Sequence, residues 1–205
     1  MARCRRPSRR RSTSISRIEP LEYALRIGLI SDTHIPEARF ELWPQIAVAF
    51  RGVDCIFHAG DIHEFHVLDA LERIAPVYAA RGNGEDGSGG RPVQPEDPRV
   101  KYAWLLEFEG VKVGLTHYVP VPERPPNFTL DKWVHRFFPD ERPDVIVSGD
   151  THVERITRLH GILCVNPGSA TYPHNYDTQL GTIGFLDLEN GRAEAQVWQL
   201  TADGI

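Results

Sequence analysis

Five times along this 205-residue chain a short apolar run breaks off into acid, imidazole or amide side chains: Asp32-Thr33-His34, Gly60-Asp61, Gly82-Asn83, Thr116-His117 and Gly149-Asp150-Thr151-His152. Apolar runs of roughly four to eight residues bounded by turn formers read as buried strands. Each cluster therefore falls at a strand-to-loop junction, where a rigid scaffold displays functional groups. A single histidine beside a strand is ordinarily a hydrogen-bonding residue of the framework. Five such clusters in succession point to a shared site.

The first strand covers Ala24 to Ser31. Leu42, Ile46, Val48, Ala49 and Phe50 then predict a helix over 40–51, with Pro44 in its first turn. A strand at 53–58, a helix over 64–74 with Phe65, Leu68, Leu71 and Ile74 on one side, and a third strand at 76–80 complete a β-α-β-α-β opening. A hairpin follows, 100–108 and 111–116 around Glu109-Gly110, then a proline-rich loop, a helix over 130–138 and a buried strand at 144–148. Strands at 154–159, 162–166 and 181–188 come next, the last pairing with 193–200 across Glu189-Asn190-Gly191. Two packed sheets with helices on their outer faces accommodate both halves in one domain, 23–205.

Charge is distributed unevenly. Residues 1–18 hold seven arginines and no acid, so the remaining residues carry 16 basic and 28 acidic side chains, a net charge of -12. An acidic body is a poor general nucleic-acid binder, because phosphate backbones demand a basic face. The Arg/Ser-rich segment 1–22 reads as a disordered tail that could itself bind polyanions. It lacks the apolar run of a secretory signal, although its composition also suits an organelle transit peptide. Cys4, Cys55 and Cys164 lie far apart, which argues against a disulfide framework and for a reducing, cytoplasmic home. No apolar run is long enough to span a membrane. Oligomeric state is left open, with a homo-oligomer among the alternatives.

The clusters supply carboxylates, imidazoles and one side-chain amide. In extended backbone, residues two apart point the same way, so Asp32 with His34, and Asp150 with His152, are expected to offer paired donors. Such donors suit Mn²⁺, Fe²⁺, Zn²⁺ or Ni²⁺ better than Ca²⁺, which prefers oxygen alone. A domain of this size needs no metal to fold, so any metal would serve chemistry.

The series DTH, GD, GN, TH and GDTH, closed by Asn166-Pro167-Gly168-Ser169, resembles the calcineurin-like metallophosphoesterase superfamily, particularly its small bacterial and archaeal phosphodiesterase branch. The resemblance spans residues 25 to about 190. It implies a four-layer α/β/β/α sandwich holding two divalent ions, manganese (Mn²⁺) first among them. By motif position, Asp32, His34, Asp61 and His152 would hold one ion, and Asp61, Asn83, His117 and Asp150 the other, with Asp61 bridging. Asp32, Asp61, Asn83 and His117 are the implied catalytic residues. A small phosphate ester, a diester before a monoester, would be hydrolysed by in-line attack of a metal-bridging hydroxide. Backbone amides of Gly168 and Ser169 are expected to meet phosphate oxygens, and His174, in a polar aromatic loop, to line the substrate side.

Two positions depart from the family pattern. Where relatives read GHTH this chain has Gly149-Asp150-Thr151-His152, so a carboxylate replaces an imidazole. Three ligand carboxylates against two divalent ions leave a cluster charge of +1 instead of +2, which favours hard ions such as Mn²⁺. Where many larger members have a histidine after the asparagine, this chain has Gly84. Esters with good leaving groups are then the expected substrates, unless the fold brings His63 or His174 close. Residues 82–87 also satisfy GxGxxG, but no helix can begin in the glycine- and proline-rich stretch that follows; it reads as a loop beside the metals, a candidate lid. The rival function is a non-catalytic protein-binding scaffold of the same fold, as in a retromer subunit.

Overall fold

A computed structural model describes residues 24–205; the Arg/Ser-rich segment read as a tail, 1–22, lies outside the described residues. Two mixed sheets stack face to face. The first half of the chain winds β1 (Leu25–Ile30), α1 (Pro44–Ala49), β2 (Cys55–His58), α2 (His66–Glu72), β3 (Val77–Ala80) and β4 (Val100–Lys101). The second half adds β5 (Ala103–Phe108), β6 (Val111–Thr116), α3 (Leu130–Phe137), β7 (Val145–Val147), β8 (Arg155–Leu159), β9 (Ile162–Asn166), β10 (Thr182–Glu189) and β11 (Arg192–Gln199). One sheet has the order β11-β10-β1-β2-β3-β4 and the other β5-β6-β7-β9-β8.

Three apolar clusters lie between the layers. Ile46, Phe50, Leu68 and Leu71 pack helices α1 and α2 against the outer face of the first sheet. Ile27, Leu29, Phe57, Val113, Leu115, Val147 and Val165 fill the space between the sheets. Leu130, Trp133 and Val134 of α3 cover Ile146 and Cys164 on the outer face of the second. This is the expected α/β/β/α order. Strands β1, β2 and β3 run parallel, as do β6, β7 and β9. The alternation of inward and outward residues in central strands buried on both faces explains their nearly unbroken apolar sequences.

Three expected boundaries move. Helix α1 begins only at Pro44, because proline lacks an N–H for a preceding turn and holds Trp43 extended (φ -62°, ψ 129°). Helix α2 is trimmed to His66–Glu72. The strand expected over 100–108 is two strands in different sheets: Val100–Lys101 pairs with β3, and Ala103–Phe108 pairs with β6. The indole N–H of Trp104 donates to the Ala79 carbonyl at 2.9 Å, tying the sheets together at that crossing. Among the described residues no helix is long and apolar enough to cross a membrane.

The interior between the sheets holds Phe57, which is fully buried, with ring centroids of Tyr78 and Phe108 at 5.7 and 6.2 Å. Phe57→Ala is expected to lose ~3–5 kcal/mol of unfolding free energy, against less than ~0.5 kcal/mol for the exposed Phe128→Ala, measured by urea denaturation.

Candidate metal centre

All five clusters sit at the C-terminal ends of strands: β1 and β2 deliver Asp32, His34 and Asp61, β3 delivers Asn83, β6 delivers His117, and β7 delivers Asp150 and His152. Packing the sheets face to face brings these ends together. One donor atom from each of Asp32, His34, Asp61 and His152 lies within 4.8 Å of all the others. Asp61 is central, with Oδ2 3.4 Å from His34 Nε2 and Oδ1 3.3 Å from His117 Nε2. Around His117 Nε2 stand Asn83 Oδ1 at 3.2 Å and Asp150 Oδ1 at 3.8 Å. His152 Nε2 is 3.7 Å from Asp32 Oδ1. One donor set thus includes Asp61, and His117, with Asn83 and Asp150 around it, adjoins the same carboxylate.

The imidazoles are oriented from behind. The ring of His117 has Nδ1 on the Ala59 carbonyl at 2.9 Å, and that of His152 has Nδ1 on the Tyr172 carbonyl at 2.9 Å. A carbonyl can only accept, so both rings carry the proton on Nδ1 and turn the Nε2 lone pair inward, as metal-ligating histidines do. His34 Nε2 is buried without any hydrogen-bond partner. Burial, with His63 and His152 beside it, drives the His34 pKa down to about 2, so the ring is neutral. Asp32 is fully buried and desolvation pushes its carboxyl up to about 7, despite the opposing pull of His117 and the Ser31 hydroxyl. An orphaned imidazole nitrogen and a desolvated carboxylate, within 4.8 Å of each other, are chemically matched to a divalent cation between them.

The backbone reason for the convergence differs from the expected one. Asp32 and His34 are not in extended conformation; their φ angles are 51° and 45°, and those of Asp150 and His152 are 71° and 58°. Asp61 and His63 repeat the pattern at 51° and 70°. Left-handed conformations at alternate residues mark each of these loops, and at Asp32 and His34 the two side chains converge on one point. Such backbone is costly for non-glycine residues and collects at functional sites. The glycines beside the donors have a separate role. A Cβ on Gly149 would stand 2.0 Å from Ser31 Oγ and 2.9 Å from Asp32 Oδ2, and one on Gly82 would stand 2.2 Å from Asp61 Oδ1.

Several residues outside the five clusters complete the centre. Glu85 is fully buried, its carboxylate accepting the His63 and Gly82 amides, both at 2.7 Å, so that it fixes the loops carrying Asp61 and Asn83. Burial raises its pKa. Sequence reading passed over it because a glutamate in a glycine-rich loop is normally solvated; its signal was its position three residues after Gly82. His63 stands with its ring centroid 4.4 Å from that of His34, and its Nδ1 is 3.7 Å from Glu37 Oε1. The glycine-rich loop is anchored across this edge by Arg91, whose guanidinium donates to both Glu37 oxygens at 2.9 and 3.3 Å. His58, whose pKa burial lowers to about 3, is a framework residue between Thr33 Oγ1 and the Gly60 amide.

At the turn where a phosphate contact is expected, the Gly168 amide donates to Asn166 Oδ1 at 2.9 Å, and Ser169 is fully buried with its hydroxyl donating to the Asp32 carbonyl at 2.7 Å. The Ser169 hydroxyl therefore holds the Asp32 backbone. His174 is on the surface, 2.9 Å from Glu154 Oε2, while the neighbouring Tyr172 is the residue of that loop which reaches the centre, 5.7 Å between ring centroids from His152.

The model of the calcineurin-like phosphoesterase superfamily domain matches residues 25–191. A probable metallophosphoesterase of Methanothermobacter thermautotrophicus is 34% identical over 172 residues, covering 83% of this chain and 90% of that protein. Among solved structures, Vps29 of Entamoeba histolytica complexed with zinc superposes with a TM-score of 0.64 at 19% identity, covering 87% of this chain and 94% of that one. An archaeal phosphodiesterase superposes with a TM-score of 0.54 at 22% identity, covering 85% and 100%. The chain belongs to the calcineurin-like phosphoesterase superfamily.

Two outcomes test the centre. Gly149→Ala is expected to abolish Mn²⁺ binding while leaving the far-ultraviolet circular dichroism spectrum intact, because the added methyl displaces Asp32 and Ser31. Metal uptake must also displace protons. Burial holds the Asp32 pKa up at about 7; burial works against protonating His117, but the Asp32 and Asp61 carboxylates outweigh it and hold that pKa above its ordinary value. Both groups lose a proton to bind a cation, whereas His34 is already neutral, so Mn²⁺ affinity falls as pH drops from 8 to 6. Calorimetry in buffers of different ionisation enthalpy reads the proton release directly.

Proposed function

We propose that the protein is a metal-dependent phosphodiesterase that binds two divalent ions, Mn²⁺ by preference, and hydrolyses a small phosphate ester. The observation that carries this reading is the placement of one carboxylate, Asp61, between two imidazoles, its oxygens 3.4 Å from His34 Nε2 and 3.3 Å from His117 Nε2. Ions held by Asp32, His34, Asp61, Asn83, His117, Asp150 and His152 would supply Lewis acidity and an activated water for displacement at phosphorus. The chain's residues set the conditions for that chemistry. Neutral His34 brings no competing proton, and the backbone bonds to His117 and His152 hold their Nε2 lone pairs ready. Asp150 adds a hard oxygen donor on the more exposed side, where its side chain is 39% accessible against 0% for His117. Arg91, bonded to Glu37 beside His63, places a guanidinium fork at the edge of the centre.

The leaving oxygen has no side chain after Asn83 to protonate it. The His63 ring instead fills the room that a side chain at 84 would need: a Cβ there would stand 2.4 Å from His63 Cδ2. Burial lowers the His63 pKa, so this nearby ring is a poor proton donor at neutral pH, and aryl esters should be cleaved faster than alkyl esters. The retention of donor chemistry at all seven positions favours the enzyme over a protein-binding scaffold, since a decayed centre would have lost ligands to apolar residues.

Turnover of a panel of phosphodiesters and monoesters with Mn²⁺, Ni²⁺, Zn²⁺ and Mg²⁺ tests the reading. Asp61→Ala is expected to abolish hydrolysis, whereas Asp150→His retains or improves it. Protein purified without chelator that carries no transition metal and gives no turnover with added Mn²⁺ would refute the proposal.

A further inference from the structure

A cavity of about 450 Å³ opens between the loop that follows His117 and the loop that carries Asp150. One wall is the Val119-Pro120-Val121-Pro122 segment, and Cys164 and Val165 of β9 contribute from the sheet. Ser148 and Thr151, which bracket Gly149-Asp150 in the chain, place the cavity beside the Asp150 half of the metal centre. On the His34 side the recesses are smaller, and charged side chains line them. One of about 260 Å³ is lined by His34, Glu37 and Tyr172, and another of about 220 Å³ by His63 and Arg91. The larger chamber is mostly apolar, with Glu154 and Arg155 as its charged lining residues, whereas Glu37, His63 and Arg91 line the smaller recesses.

We infer that this chamber receives one ester arm of the substrate and that the arm is an aromatic ring, which deepens and rests on the phosphodiesterase reading. The volume lies in the range of small-molecule sites, which are concave, mostly apolar and carry few polar groups. A phosphodiester has two arms to place, and the chamber beside the Asp150 loop offers one of them the valine and proline surfaces of Val119, Pro120, Val121, Pro122 and Val153, with Glu154 and Arg155 also in the lining. Arg155 at the rim has no carboxylate partner among the described residues and suits stacking on an aromatic face. The proline-rich loop acquires a role in this way: it forms a stiff wall placed two residues after a metal donor. A diester fits this asymmetry better than a monoester, which has only one arm to place.

Non-hydrolysable phosphonates separate this inference from the reading beneath it. With Mn²⁺-loaded protein, calorimetry should show phenylphosphonate binding roughly ten-fold tighter than methylphosphonate, the difference being burial of the ring. Val153→Trp, a substitution at a partly exposed position of the chamber wall (Val153 is 41% exposed), should reduce that ratio toward one. Val121→Ser should reduce it as well, by making the wall polar, so the inference remains testable if either variant fails to fold. Methyl resonances of Val119, Val121 and Val153 should shift with phenylphosphonate and not with methylphosphonate. Equal affinity for the two phosphonates, or a ratio unmoved by both substitutions, overturns the chamber assignment while leaving the phosphoesterase reading in place. Failure of both phosphonates to bind overturns both.

Discussion

Two carboxylates removed from water in one small volume set the central constraint on this structure. Asp32 is inaccessible to solvent and Asp61 is nearly so, at 4%, and each lies within reach of the same imidazoles. Anions in such a position must either take up protons or be matched by cations, because the desolvation cost of an unpaired buried charge exceeds what a domain can tolerate. The rise of the Asp32 pKa to about 7 is the first of these responses. Burial makes His34 and His58 still harder to protonate, so of the surrounding imidazoles His117 is the one whose pKa the carboxylates hold above its ordinary value. A divalent ion is the remaining partner, and the neutral Nε2 lone pairs that face the carboxylates are what such an ion requires.

Bringing these groups together is what the double-sheet architecture does. Neither sheet holds a full donor set: β1, β2 and β3 supply Asp32, His34, Asp61 and Asn83, while β6 and β7 of the other sheet supply His117, Asp150 and His152. The apolar layer between the sheets, with Leu29, Phe57, Leu115 and Val147 fully buried, therefore fixes the geometry of the centre as well as the stability of the fold. It also has strain to offset. Left-handed backbone at Asp32, His34, Asp61, His63, Asp150 and His152 costs of the order of 1–3 kcal/mol per residue and persists because the neighbouring bonds leave each loop no alternative. Ser169 and Thr171 grip the Asp32 carbonyl, and Glu85 grips the Gly82 and His63 amides.

The parts of this arrangement that were legible in the sequence are those with a local cause. Apolar runs ending in Asp, His or Asn identify strand ends carrying donors, and Glu109-Gly110 and Asn190-Gly191 identify tight hairpins, all four residues having positive φ. Two packed sheets with helices on their outer faces followed from the change from alternating helices and strands to strand after strand, and the four-layer order from the family resemblance. What escaped was determined by distant contacts. Nothing local shows that the chain changes sheets at Tyr102, since both sides of the break have strand character. Nor could the sequence show that Gly168 and Ser169 turn inward to the Asp32 backbone, 137 residues away at the Ser169 bond. Glu85 was missed for the same reason, because its burial depends on loops from two other strands. The paired donors were found by an argument from extended backbone that the left-handed loops replace; spacing of two survives both geometries.

Asp150 is where sequence and structure together say most about chemistry. Its backbone amide donates to Asp32 Oδ1 at 3.1 Å, so the residue is anchored to the first donor set while its side chain faces the second, 3.8 Å from His117 Nε2. An imidazole at that position would be a softer, neutral donor. With two ions bound as proposed, a carboxylate would lower the cluster charge by one, and its chain neighbours Ser148 and Thr151 line the larger chamber. The same carboxylate would also repel additional negative charge on a bound phosphate. A monoester dianion suffers that repulsion more than a diester monoanion, by Coulomb's law at equal distance. On the proposed reading, the exchange of histidine for aspartate works in the same direction as the chamber, toward a singly charged ester with two arms.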